Sequence, residues 1–327
     1  MKHWLENIWY RPQPAPGWLR LLADLYGFAA ARRSTAAVRL PVPVIVVGNI
    51  SVGGTGKTPF VIWLVKQLRA AGWRPGVISR GYRGRAPAYP LRVDAKTDPA
   101  LCGDEPALMA RRLGVPVAVA PGRVAAGKLL AQSGEVDILV ADDGLQHRRL
   151  GRDVEICVVD GARGLGNGAL LPAGPLREPP ARLDTVNLVV VNGGGWRDTK
   201  TLAVDMQLAI GEAVALADGE RRPLAAFAKT CVHAVAGIGN PDRYFHALRA
   251  AGLTAVEHPF PDHHRFTRED LEFGDGLPVL MTEKDAVKCA GLGAANLWAV
   301  PAEAHLSDAD RALVQELLGS LKRAKHG

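Results

Sequence analysis

The chain has 327 residues, 48% of them hydrophobic and 22% charged, which is enough apolar material for a full core and two domains and excludes a disordered or fibrous protein. Forty Lys and Arg against 33 Asp and Glu leave a formal charge of +7, which suits nucleic acid, an anionic membrane face or a phosphorylated substrate without choosing among them. Four cysteines, far apart and without a CxxC pair, argue against a zinc site or a disulfide framework, and no stretch reaches the roughly 18 to 20 apolar residues of a spanning helix.

At the N-terminus, Glu6 and Arg11 interrupt any signal-peptide core. Trp4, Leu5, Ile8 and Trp9 are followed, after a Pro-rich break, by GWLRLLADLYGFAAARR. There Trp18, Leu21, Leu22, Leu25, Phe28 and Ala29 recur at helical spacing, with Arg20, Asp24, Arg32 and Arg33 off the stripe. Such a stripe ordinarily packs on its own domain, and that is the expectation. The alternative, which suits tryptophans and flanking arginines, is a helix lying in a bilayer interface.

From Pro41 short Val- and Ile-rich runs alternate with helical patterns, the signature of a mostly parallel sheet covered by helices on both faces. Strands are predicted over Val42–Val47, Gly76–Ser79, Val115–Val119, Val136–Ala141, Glu155–Val159 and Asn187–Val191, and helices over Thr58–Ala71 and Arg123–Gln132. After the Gly193–Gly195 cluster a smaller α/β pattern follows, with strands over Ala234–Ile238, Ala255–His258, Val279–Met281 and Leu297–Val300 and a helix over Asp242–Ala251. The expected fold is thus a P-loop NTPase-type α/β/α domain with a second, smaller α/β domain. Its division is 1–35 for N-terminal amphipathic, membrane-associating helices, 36–195 for the P-loop kinase domain, 196–305 for the smaller α/β lid or substrate domain and 306–327 for a C-terminal helix.

The strongest motif is VIVVGNISVGGTGKTP, an apolar strand running through glycines into a helix start. Backbone N–H groups of Gly53, Gly54, Thr55 and Gly56 would wrap the phosphates of ATP, Lys57 would reach the β and γ oxygens, and the Thr58 hydroxyl would ligate Mg²⁺. One departure stands out: the usual first glycine of G-x-x-x-x-G-K-[ST] is Ser51. A second strand, VDILVADDG, ends in Asp142 and Asp143, where an acidic pair holds Mg²⁺ beside a P-loop. A DDG can also be no more than a turn.

Together with that P-loop, the segment DDGLQHRRL (Asp142–Leu150) strongly resembles the tetraacyldisaccharide 4'-kinase family. Further similar motifs are SRGYRG (79–84), GDEP (103–106), LLPAGPLREP (170–179), PDHHRFT (261–267) and TEKDAVK (282–288), in the family's order along most of the chain. The resemblance implies transfer of the ATP γ-phosphoryl group to the 4'-hydroxyl of a tetraacylated glucosamine disaccharide 1-phosphate, the lipid A precursor. It also implies a peripheral site on the cytoplasmic face of a bacterial inner membrane, with no nucleic acid and no obligate protein partner. By the same resemblance Asp104 and His263 form a catalytic pair, Glu178 is a further site acid, and Gln146 and His147 belong to the site motif.

Beside the resemblance, a sugar hydroxyl is a poor nucleophile, and a carboxylate such as Asp104 that accepts its proton late is a reasonable requirement. Asp104 also reads as a helix N-terminal residue before Pro106, a role compatible with catalysis, whereas His263 read alone is one loop histidine among nine. Arg80, Arg83 and Arg85, and Arg148, Arg149 and Arg152, flank the candidate loops and suit either phosphate or plain solvent. Two other readings stay open at this point. TEKD is similar to the [NT]-K-x-D guanine-reading motif of GTPases, although Lys284 falls one place off, and the charge suits a nucleic-acid-stimulated ATPase.

Overall fold

A computed structural model describes residues 2–11, 13–31, 36–289, 291–293 and 296–325. Arg32 and Arg33, expected beside the N-terminal stripe, lie outside the described residues. Two N-terminal helices, α1 (Lys2–Trp9) and α2 (Gly17–Ala31), precede the first strand. The chain then runs β1 (Val44–Gly48), α3 (Lys57–Ala70), β2 (Pro75–Ser79), β3 (Leu91–Val93), α4 (Pro99–Cys102), α5 (Asp104–Leu113), β4 (Val117–Val119), α6 (Arg123–Gln132), β5 (Ile138–Asp142), β6 (Val154–Asp160), β7 (Leu188–Asn192) and β8 (Ala203–Ile210). It continues with β9 (Ala213–Ala215), β10 (Arg221–Arg222), β11 (Cys231–Ala236), α7 (Pro241–Ala250), β12 (Thr254–Pro259), β13 (Val279–Thr282), α8 (Glu283–Cys289), β14 (Leu297–Val300), β15 (Ala302–His305) and α9 (Asp308–Lys325).

These strands form a nine-stranded sheet, ordered β15-β8-β7-β6-β1-β5-β2-β4-β3, and a six-stranded sheet, ordered β10-β9-β14-β13-β11-β12. In the larger sheet β1, β2 and β4 to β8 run parallel, and the edge strands β3 and β15 antiparallel. Its apolar runs are buried on both faces because successive side chains alternate. Ile45 and Val47 join the layer containing α3, α5 and α9, while Val44 and Val46 join the layer containing α6.

The smaller sheet is covered by Tyr244, Phe245 and Leu248 of α7 on one face and by Phe266, Leu271 and α8 on the other. The chain crosses to it between β8 and β9, beyond the glycine cluster, and returns between β14 and β15. The two crossings lie side by side, with the Gly211 amide donating to the Pro301 carbonyl at 2.9 Å. The last helix docks on the larger sheet through Val314, Leu318 and Leu321, flanked by Leu313 and Leu317.

The N-terminal stripe departs from expectation. Leu19, Ala15 and Ala23 are the buried residues, against Ala173 and the part-buried Leu5 and Ile8. Trp18, Leu21, Leu25 and Phe28 are instead 57 to 64% exposed, and Trp4 stacks on Trp18 at 6.4 Å. Small residues let α2 approach its support closely, so the large apolar side chains are left on the far side. Among the described residues, no helix is long and apolar enough to cross a membrane.

Candidate active site

The loop 49–56 joins β1, at the centre of the larger sheet, to the N-terminus of α3, so its amides and the helix end share one concave surface. Gly56 has φ +93°, and a Cβ there would lie 2.6 Å from the Asn192 amide nitrogen, so no other residue fits without displacing the loop. Ser51, where a glycine was expected, sits in an isolated antiparallel bridge to Leu176. That extended geometry any residue adopts, which accounts for the departure. Gly53 and Gly54 are exposed, open to a ligand.

Three side chains fix this loop from outside it. Asn192, at the end of β7, donates to the Thr55 carbonyl at 3.0 Å. Arg163 donates to the Gly54 carbonyl while pairing with Asp160 at 3.1 Å. Arg177 donates to the Ser51 carbonyl at 3.3 Å and to the Asn49 side chain.

The acidic pair closes β5 beside the loop. Lys57 Nζ is 3.6 Å from Asp143 Oδ1, and Arg177 grips both Asp143 oxygens at 3.2 and 3.3 Å. Burial pushes against ionisation of Asp143, but Lys57 and Arg177 outweigh it and hold the carboxyl down at about 2. Asp142 is in the opposite situation: burial, then the neighbouring Asp143 charge, pushes it up to about 7. Its Oδ1 and the Thr55 hydroxyl are buried without a hydrogen-bond partner among the described residues. Buried polar atoms seldom stay unpaired. Both atoms fit a bound cation and its phosphate ligands, which would also return Asp142 to the carboxylate form.

Glu178 is buried and accepts from Gln146 at 2.9 Å, with Arg148 at 3.6 Å and Arg182 at 3.8 Å. Gln146 also donates to the Asn49 carbonyl at 2.9 Å, which ties the DDGLQHRRL segment to the phosphate loop. His147 lies half-buried, and burial followed by Arg123, Arg152, Arg149 and Arg80 pushes it down to about 4. Arg80 is exposed, whereas Arg123 is buried and donates to the Asp143 carbonyl at 2.8 Å. Arg152 is committed to Glu155 at 2.7 Å and to the loop's own carbonyls.

The second centre spans the two sheets. Asp104 opens α5 behind Gly103, whose φ is +91° and where a Cβ would lie 2.5 Å from the Tyr82 carbonyl oxygen, so glycine lets the GDEP and SRGYRG loops meet. His263, from the loop after β12, places Nδ1 2.8 Å from Asp104 Oδ2. The imidazole stacks edgewise on Tyr82, and Arg83 donates to the Asp262 carbonyl at 3.2 Å. Burial opposes ionisation of Asp104, but the hydrogen bond from His263 and the charge of Lys288 hold it below its usual value.

The TEKD aspartate is not free to read a base. Asp285 is fully buried and accepts from the Gly237 amide at 2.9 Å, the Thr282 hydroxyl at 2.6 Å and Lys288 at 2.7 Å. That removes the basis of the GTPase reading. Arg177, Arg123, Arg163 and Asn192 escape sequence reasoning that looks for arginine runs, because each stands alone in its segment. The LREP motif was the available signal for Arg177.

A family model described as "Tetraacyldisaccharide-1-P 4'-kinase" matches residues 16–322. A protein named tetraacyldisaccharide 4'-kinase from Nitrosococcus oceani is 50% identical over 326 residues, covering 98% of this chain and 95% of that protein. One of the same name from Pseudomonas aeruginosa is 47% identical, covering 93% and 94%. A crystal structure of Aquifex aeolicus LpxK in complex with ATP superposes with a TM-score of 0.77 at 28% identity, covering 93% of this chain and 96% of that one.

Proposed function

The chain belongs to the tetraacyldisaccharide-1-P 4'-kinase family, and from that premise we propose how its own residues carry the reaction at a membrane surface. It is a kinase that phosphorylates the 4' position of a tetraacyldisaccharide 1-phosphate in lipid A biosynthesis, with ATP as phosphoryl donor. The observation that carries the mechanism is the 2.8 Å Asp104–His263 bond, which joins an acid of the phosphate-binding lobe to a base of the smaller lobe.

In this reading Gly53 to Thr58 hold the triphosphate, with Lys57 on the oxygens of the transferred group. Thr58, Asp142, Asp143 and Glu178 are the residues assigned to Mg²⁺, which would supply charge neutralisation to the triphosphate when bound with ATP. Among the described residues no three acids come together as a metal cluster, and Glu178 faces Gln146 and two arginines instead. With Asp104 Oδ2 occupied by the imidazole, Oδ1 accepts the proton of the 4'-hydroxyl as the new O–P bond forms and the bridge to ADP breaks. His263 stabilises the anionic form of Asp104 until then.

The lipid reaches this centre from the side of α1 and α2. Their exposed Trp4, Trp18, Leu21, Leu22, Leu25 and Phe28 make an apolar face suited to the headgroup boundary, and the formal +7 charge favours an anionic bilayer. A cleft of about 960 Å³, lined among others by Arg11, Arg20, Arg163 and Leu170, opens between these helices and the segment after β6. The protein is read as peripheral on the cytoplasmic face of the inner membrane.

The direct test is incubation of the purified protein with labelled ATP, Mg²⁺ and the disaccharide lipid, with mapping of the product. Label on the 4' position is expected. Lys57→Ala should abolish transfer, and Asp104→Asn should lower kcat about 10²- to 10⁴-fold while ATP affinity stays within a few-fold. Nucleotide hydrolysis with no phosphorylated glycolipid would overturn the assignment.

A further inference from the structure

Lys284 belongs to the TEKDAVK motif, which the reaction as described leaves without a role. It sits at the start of α8 with its ammonium facing three acceptors: Glu105 Oε1 at 2.8 Å, Asp262 Oδ1 at 3.4 Å and His263 Nε2 at 3.4 Å. An ammonium has three N–H donors and no acceptor. Each of the three donors therefore has an acceptor in reach, and a hydrogen bond from the ammonium to His263 Nε2 requires a lone pair on that nitrogen.

We propose that Lys284 is a positioning residue that fixes the tautomer of His263, holding the ring neutral with its proton on Nδ1 so that it donates to Asp104. The inference rests on Asp104 as the proton acceptor of the reaction. In the other tautomer Nε2–H would point at the ammonium, and Nδ1 would set its lone pair against Asp104 Oδ2 at 2.8 Å. Either clash costs a hydrogen bond to a charged group, so the two contacts select one state together. The remaining carboxylate near Nε2, Asp262 Oδ2, is 3.7 Å away, outside hydrogen-bonding distance.

The surroundings hold the arrangement in place. Lys284 is largely buried, which alone would favour its neutral form, but Glu105 and then Asp262 more than offset that and keep it protonated. From α5 come Asp104 and Glu105, from α8 Lys284 and Lys288, and from the SRGYRG loop Tyr82 and Arg83. Lys288 Nζ, 4.0 Å from Asp104 Oδ2, adds positive potential on the aspartate side. His263 itself has φ +63°, an uncommon conformation outside glycine, held by its amide bond to the Gly237 carbonyl at 3.1 Å. The ring has little freedom to rotate away.

Two measurements test this. Nitrogen-15 NMR of the full chain labelled at histidine should assign His263, through its loss in His263→Gln, to the tautomer protonated at Nδ1 at neutral pH. The Nε2-protonated form, or a cationic ring, would overturn the proposal whatever the activity. In the same spectra Lys284→Met should move the His263 nitrogens away from the wild-type tautomer pattern, whereas Lys284→Arg should keep it. A pattern unchanged in Lys284→Met would also overturn it, since a residue needed only for packing would leave the ring's tautomer as it is. If instead Asp104→Asn keeps wild-type kcat, the assignment of the base fails while the tautomer measurement still reads Lys284.

Discussion

His147 is the histidine most displaced by its setting, and the displacement has a sign that can be read in stability. Its ordinary value of 6.5 falls to about 4 through burial and four arginines, and its Nε2 is buried with no partner among the described residues. Between those two values the unfolded chain binds a proton at this site that the folded one refuses. Folding stability from His147 is therefore fully present above about pH 6.5 and is lost as pH falls toward 4. His147→Gln should flatten the wild-type fall in Tm over that window, measured by thermal scans at matched ionic strength. Parallel curves would show that the arginines do not act on this ring. At the same scale, the acids were legible in the sequence because DDG closes an apolar strand, and Lys57 because the loop surrounds it. Arg177 was not, since nothing in LREP tells whether an arginine turns outward or folds back 3.2 Å from Asp143.

Among the elements, α2 shows what a periodic pattern leaves undecided. A helical stripe of large apolar residues says that one face differs from the other, and the usual inference is that the greasier face is inward. Here the inward face is Leu19 and Ala23, with Ala15 just ahead of the helix, and Trp9 and Asn167 bolt the helix pair to the segment that also braces the phosphate loop. Leu21 and Leu25 are 64% and 59% exposed, so replacing both by Glu removes little packing. Leu21→Glu/Leu25→Glu should keep Tm within a few degrees and lose co-sedimentation with anionic vesicles, while kcat on detergent-dispersed lipid stays near wild type. Undiminished vesicle binding would reject this face as the membrane contact. The central parallel strands, by contrast, were legible almost to the residue, because runs buried on both faces contain little but Val and Ile. The strands missed were β3, β8, β9, β10 and β15. β8, with Asp205 and Gln207 among its residues, lies next to the sheet edge, and the other four are two to four residues long, too short to set a pattern.

At the scale of the whole molecule, the mechanism proposed above draws on two lobes that the chain joins through the paired crossings at Gly211 and Pro301, and a side chain spanning them would couple the phosphate loop to the lobe bearing His263. Arg243 of α7 is placed for this. Its guanidinium donates to Asn192 Oδ1 at 3.0 Å and lies 3.7 Å from Asp160 Oδ2. Asp160 and Asn192 are register partners on β6 and β7, and each reaches the loop in turn, Asp160 through Arg163 to Gly54 and Asn192 directly to Thr55. The arginine thus touches the smaller lobe's helix at one end and both supports of the loop at the other. Because its side chain is 42% exposed, solvent screens the contact, and a single half-exposed charge-assisted bond is worth about 1 kcal/mol, or about fivefold in rate. Arg243→Ala should lower kcat/KM for ATP by about that factor and leave vesicle binding unchanged. In limited proteolysis, ATP should protect both the phosphate loop and the 211–301 lobe in the wild type, and only the phosphate loop in the variant. Equal nucleotide protection of both lobes in Arg243→Ala would mean that Arg243 does not carry the coupling, leaving it to other contacts between the lobes such as Arg112 with Glu283.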